Sequence, residues 1–191
     1  YGIDDFSDPW NPPEPLILIH AAMGSSRRLY KWIPMLSRHF RVVRPDMRGH
    51  GDTAIPGPDQ LSLTRLTQDV IELADHLGLK RFHLAGSSAG SIVAMRTAID
   101  FPDRVKTLAN FASTPGLGPS AIDMAKWVSH IKAKGMRGFL EETIEERFPN
   151  VADQGFVRWF IDESSKTNVD LFARFGPMMK AVDYTADLHK I

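Results

Sequence analysis

Phe82-His83-Leu84-Ala85-Gly86-Ser87-Ser88-Ala89-Gly90-Ser91-Ile92-Val93 is the stretch that decides the fold. An apolar run, Phe82 to Ala85, reads as a buried strand; a turn of small residues follows, and then a helical pattern begins. Gly86, Ser88 and Gly90 have the spacing G-x-S-x-G, in which a serine sits on a sharp strand-to-helix turn. The geometry explains the composition. A serine held in a strained conformation needs small neighbours, and the following helix directs N–H groups at a developing anion. The flanking glycines frame Ser88 rather than Ser87, so Ser88 is the predicted nucleophile.

Outward from that turn, the chain alternates strands and helices. Leu16 to Ile19 and Phe40 to Val43 are continuous apolar runs suited to strands buried on both faces. Between them, Leu29, Trp32, Ile33, Leu36 and Phe40 recur at helical spacing. Leu63, Leu66, Val70, Leu73 and Leu77 predict an amphipathic helix stopped by Gly78. The helix after the turn ends near Phe101-Pro102, and Val105 to Ala109 is the next strand. Tyr1 to Pro15 reads as loop. Four strands alternating with helices predict an α/β fold with a mostly parallel sheet.

From Ser113 the pattern changes. A linker with two prolines and two glycines leads into helices only: one opened by Ser120 with Asp123 as a capping box, broken at Gly135, then further helices near 153–164 and 169–182. Residues 1–113 are therefore read as sheet core, 114–187 as a helical lid over the sheet's carboxyl edge, and 188–191 as the return to the core.

Composition bounds the partners. The 191 residues hold 23 basic and 23 acidic side chains, so no basic footprint points to nucleic acid. No apolar run reaches a membrane span, and no signal-peptide pattern opens the chain. Without cysteine there are no disulfides or thiolate metal sites. No H-E-x-x-H or paired-carboxylate pattern occurs, so neither a metal nor a cofactor is expected, and a cytoplasmic location is. A P-loop would need Gly-Lys-Ser/Thr, and the dinucleotide fingerprint G-x-G-x-x-G is absent too.

The order of motifs, His20-Ala21, Asp46-Met47-Arg48-Gly49-His50-Gly51, Gly86 to Gly90 and Phe101-Pro102-Asp103-Arg104-Val105, resembles the α/β-hydrolase superfamily. Within it, Trp127 to Phe148 is similar to the lid of 3-oxoadipate enol-lactonases. The resemblance implies a serine hydrolase of small carboxylic esters or lactones, with C–C hydrolases and hydrolase-like receptors without turnover as alternatives. The dehalogenase branch uses an aspartate where Ser88 stands. The resemblance also implies oxyanion donors at the backbone N–H of Ala22 and Ala89, and it places the triad acid and histidine outside this segment. Where the family usually has His-Gly, this chain has His20-Ala21, a departure costing about 1 kcal/mol if that position needs positive φ.

Other candidates have plainer readings. The resemblance implies that His20 braces loop backbone; Asp46, Arg48 and His50 are expected to brace the loop beside the site through local hydrogen bonds. His39, His76, His83, His130 and His189 are expected to be surface or structural. Trp127, Met136 and Trp159 are the candidate substrate-lining residues, although such residues at helical spacing more often form a lid's own core. Most of Lys132, Lys134, Arg137, Arg147, Arg158 and Arg174 are expected to be solvated surface charges, several paired with Glu141, Glu142, Glu145 and Glu146. One turned inward would hold an acidic substituent, as the enol-lactonase resemblance implies. The expected partner is a small-molecule substrate, with a homodimer as one option for the assembly.

Overall fold

The alternation of apolar runs produces one five-stranded sheet in the computed structural model, which describes residues 1–148 and 153–191. The strands are β1 (Gly2–Asp4), β2 (Glu14–Ile19), β3 (Phe40–Arg44), β4 (Phe82–Ser87) and β5 (Val105–Phe111), in the order β1-β3-β2-β4-β5. β2 to β5 run parallel; Ile17 lies beside both Val43 and Leu84, and Ala85 beside Ala109. The four expected strands are all present. β1 is an addition within the stretch read as loop. It pairs antiparallel with β3, Ile3 opposite Val43, and Arg44 Nε donates to Asp4 Oδ2 at 2.6 Å.

Period-two alternation divides the sheet's side chains between two faces. Ile17, Ile19, Val43, Phe82 and Leu84 pack under α2 (Leu63–His76) and α3 (Ala89–Asp100). Leu16, Leu18, Val42 and Ala85 point the other way, toward Leu29 and Ile33. On that second face an apolar cavity of about 400 Å³ is lined by Leu16, Leu18, Trp32, Phe40, Ala85 and Phe111. The long helix expected before β3 is shorter than its spacing suggests: a 3-10 turn at Ser26–Leu29, then one turn of α1 (Ile33–Leu36).

After β5 come α4 (Met124–Glu142), α5 (Ile144–Arg147), α6 (Gln154–Ser164) and α7 (Val169–Lys180). Each long helix is started by a side-chain cap: Asp123 accepts from Lys126 N–H, Asp153 from Phe156 N–H, and Asn168 from Leu171 N–H. Asp123 is thus the cap itself, and Ser120 bonds back to Leu117 O instead of opening a capping box. Gly135, at φ 72 and ψ 168, breaks α4 where expected. Met124, Ile131, Met136, Phe139, Leu140, Phe160 and Phe172 form the lid's apolar core, which also buries Met23 from the loop after β2. α7 belongs to both layers. Phe172 faces the lid cluster, while Phe175 and Met179, with Val182 and Tyr184 beyond, join the core under the sheet.

Candidate active site

β4 delivers the chain to Ser88 and α3 carries it away. Ser88 itself has φ 52 and ψ −115, a region L-residues avoid unless their surroundings impose it. The surroundings are backbone. A Cβ on Gly86 would lie 2.4 Å from the carbonyl of Gly90, and one on Gly90 would lie 2.4 Å from Ile19 O and 2.6 Å from His20 O. Each glycine is there for space, since neither has positive φ. Ser88 N–H donates to Phe111 O at 2.8 Å, tying the turn to the end of β5.

Ser91 completes the latch. Its buried hydroxyl donates to Gly86 O at 2.5 Å and receives Phe111 N–H at 3.2 Å. No motif marks Ser91 in the sequence. A serine one turn into an apolar helix, at an otherwise buried position, was the available signal. Ser88 is exposed, and among the described residues its side chain makes no capping hydrogen bond. Ser87, by contrast, is the last residue of β4.

Ala89 opens α3, so its N–H has no intrahelical acceptor and stands at the positive end of the helix dipole. Ala22 lies in the loop after β2. Neither N–H donates within the protein among the described residues. Ala21 is not in the left-handed region; the positive φ of this loop falls at Met23, φ 53. The missing glycine therefore carries no φ penalty.

His20 is completely buried. Met47 N–H donates to its Nε2 at 2.9 Å, which leaves the proton on Nδ1 to be donated to Ala21 O at 2.8 Å. Burial and then repulsion from His50 push its pKa down to about 3, so the ring is neutral. Asp46 accepts N–H bonds from Ser26 and Asp52, and Arg48 holds Asp69 through two bonds of 2.9 and 2.6 Å. These side chains brace the loops, as expected.

His83 bonds Thr107 and Glu14 near the opposite end of β4, five positions before Ser88, or about 16 Å along a strand. His130 bonds Glu142, and His189 bonds Ala186 O. No group of side chains that could hold a metal occurs among the described residues.

Of the candidate lining residues, Met136 lies inside the lid core, Trp127 packs on that core's edge against Phe139, and Trp159 meets Tyr30 edge to face with ring centroids 4.8 Å apart. Of the lid cations, Arg137 pairs with Asp162 and Glu141, and Lys134 with Glu142. Two turn inward: Arg174, whose Nη2 donates to Pro56 O at 3.1 Å and whose Nη1 is buried without a hydrogen-bond partner among the described residues, and Arg147. Arg147 covers the rings of Phe139 and Trp127 at 5.1 and 5.5 Å and donates to Thr143, with no carboxylate within bonding distance among the described residues.

A family model described as the alpha/beta hydrolase fold matches residues 14–156. A hydrolase from Pseudomonas aeruginosa PA01 is 30% identical with a TM-score of 0.78, over the whole of this chain and 71% of its own. The enol-lactonase of Burkholderia xenovorans LB400 superposes over the whole chain and 73% of its own length, with a TM-score of 0.83 and 23% identity, a likeness of fold. Among curated proteins, a carboxylesterase of Bacillus subtilis described as uncharacterized is 28% identical over 155 residues, 81% of this chain and 51% of its own. A soluble epoxide hydrolase of a Corynebacterium is 37% identical over 124 residues, 61% of this chain and 42% of its own. The chain spans about half or less of the length of the curated relatives it matches. No described helix is long and apolar enough to cross a membrane. The strained serine between two space-making glycines, the parallel sheet that carries it and the family match over residues 14–156 agree, and the chain belongs to the α/β-hydrolase fold family.

Proposed function

We propose that this chain supplies the nucleophile and the oxyanion donors of a serine hydrolase acting on small carboxylic esters or lactones. The observation that carries the reading is Ser88 at φ 52, exposed at the strand–helix junction, with unspent N–H groups at Ala22 and Ala89. In this mechanism Ser88 Oγ attacks the carbonyl carbon, and the carbonyl oxygen becomes an anion received by those two N–H groups. Collapse breaks the C–O bond. The alcohol leaves, or in a lactone the ring opens, and an acyl group stays on Ser88 until water removes it.

The proton of Ser88 goes to a histidine oriented by an acid. Both are assigned to sequence outside residues 1–191, as the family resemblance implies; in support, His20 uses both ring nitrogens and His83 sits at the far end of β4.

Replacing Ser88 by Ala in the full-length natural protein should lower kcat by roughly ten-thousand-fold or more with the unfolding midpoint nearly unchanged. An organophosphonate should add its mass to the peptide containing Ser88. An adduct on Ser87, or full activity in the Ser88→Ala protein, would overturn the assignment.

A further inference from the structure

The loop from His20 to Ser25 must present the Ala22 N–H at a fixed angle, yet it carries the strain of Met23 at φ 53. His20 holds one side of it, through Ala21 O of the peptide that contains the Ala22 N–H. The other side is held by Arg28. Its Nη1 donates to Met23 O at 3.2 Å and to Ala22 O at 3.4 Å.

We propose that Arg28 is a positioning residue of the oxyanion loop, fixing the two peptide units after Ala22 so that the Ala22 N–H keeps its aim. The inference rests on the reading above, in which that N–H receives the oxyanion.

Three further observations distinguish Arg28 from an ordinary surface arginine. The first is Gly24. It is outside the left-handed region, so its conformation does not demand glycine, but a Cβ there would lie 2.5 Å from Arg28 Cδ and 2.9 Å from Nη1. The loop leaves out a side chain where the guanidinium lies. The second is the lid. Arg28 sits over the ring of Phe160 in α6 at 4.2 Å, so the same group that grips the loop also touches the cover.

The third is the missing counter-charge. Neighbouring Arg27 is exposed and pairs with Asp52 and Glu163, whereas Arg28 has no carboxylate partner among the described residues. Burial, and secondly Arg147, push its pKa down to about 10, which leaves it charged at neutral pH. A desolvated guanidinium that is not in an ion pair spends its directed N–H groups on the loop carbonyls.

The test uses the full-length natural protein. Arg28→Met keeps the apolar stem and removes the donors. It should lower kcat ten- to a hundredfold with KM within about twofold, below the full loss of an oxyanion donor. Affinity for a trifluoromethyl ketone, which mimics the tetrahedral oxyanion, should fall by the same factor as kcat/KM, while affinity for the carboxylic acid product stays constant.

Arg28→Lys, which keeps the charge but not the planar fork, should recover part of the loss. Gly24→Ala displaces the guanidinium without touching backbone; it should reproduce the defect and add nothing to Arg28→Met. This second variant decides the matter if Arg28→Met fails to fold. Normal kcat in Gly24→Ala or Arg28→Met, with Ser88→Ala inactive, overturns the role of Arg28 alone. So does equal weakening of ketone and acid. An active Ser88→Ala protein instead removes the serine reading on which this one rests.

Discussion

His20 is a buried imidazole that must stay neutral, because protonating Nε2 would remove the acceptor of Met47 N–H. His50 lies beside it, ring centroids 5.4 Å apart, and its pKa is likewise pushed down by burial. Unfolded, both would titrate near the ordinary histidine value of about 6.5. Between there and about pH 3, where folded His20 would finally protonate, the unfolded chain binds more protons than the folded one. Stability therefore falls as pH falls through that window and is level above it, with a limiting slope of about 1.4 kcal/mol per pH unit for each histidine.

Urea unfolding measured from pH 8 to 4 should show this decline, and His20→Asn should remove one proton from its slope. A flat profile would show that the two rings are solvated. Asp46 contributes only lower down: burial opposes its charge, but the N–H groups of Ser26 and Asp52 outweigh it and hold its pKa below the ordinary carboxylate value. The bracing role of His20 was legible in the sequence. That of Arg28 was not, since an Arg27-Arg28 doublet reads as two solvated charges until the loop is folded beside it.

Among the elements, the approach of α3 to β2 sets a tight tolerance. Gly90 lets the helix rest on the carbonyls of Ile19 and His20, which cannot retreat because β2 is paired on both sides. Gly90→Ala should cost at least about 3 kcal/mol or prevent folding, as overpacking against backbone does. Gly57→Ala is the control. Gly57 has φ −59, and its Cβ would meet only Gln60 Oε1 at 3.9 Å, so the unfolding midpoint should barely move. Equal effects at the two positions would mean that α3 can slide.

The helices and parallel strands were legible because hydrophobic periodicity records burial on this kind of sheet. β1 was not, because three residues carry no period of their own. Its strand character comes from Val43 and Arg44 across the ladder. α1 misled for the opposite reason. Apolar residues at helical spacing reported burial against the sheet, while the backbone between them took a 3-10 turn and a single helical turn.

The layers are stitched through positions far apart in the chain. α7 packs in the lid with Phe172 and under the sheet with Phe175 and Met179, so neither layer is built from one continuous stretch. The latch at Ser88 is equally non-local: its glycine contacts reach back to Ile19 and its hydrogen bonds forward to Phe111. That has a consequence in time. The Gly86–Gly90 approach and the Ser91–Gly86 bond are local, but the remaining constraints on Ser88 come from β2 and β5, whose docking has to overcome loop-closure entropy first.

On the proposed reading of Ser88, the residue is an ordinary, relaxed serine during folding until both neighbours are in place, and its reactivity arises late. In stopped-flow refolding of the full-length natural protein, far-ultraviolet dichroism should recover before organophosphonate labelling of Ser88 does. Simultaneous recovery would refute that order. A nascent or misfolded copy, with its helices formed but its sheet unfinished, would then carry the proposed nucleophile's sequence without its chemistry.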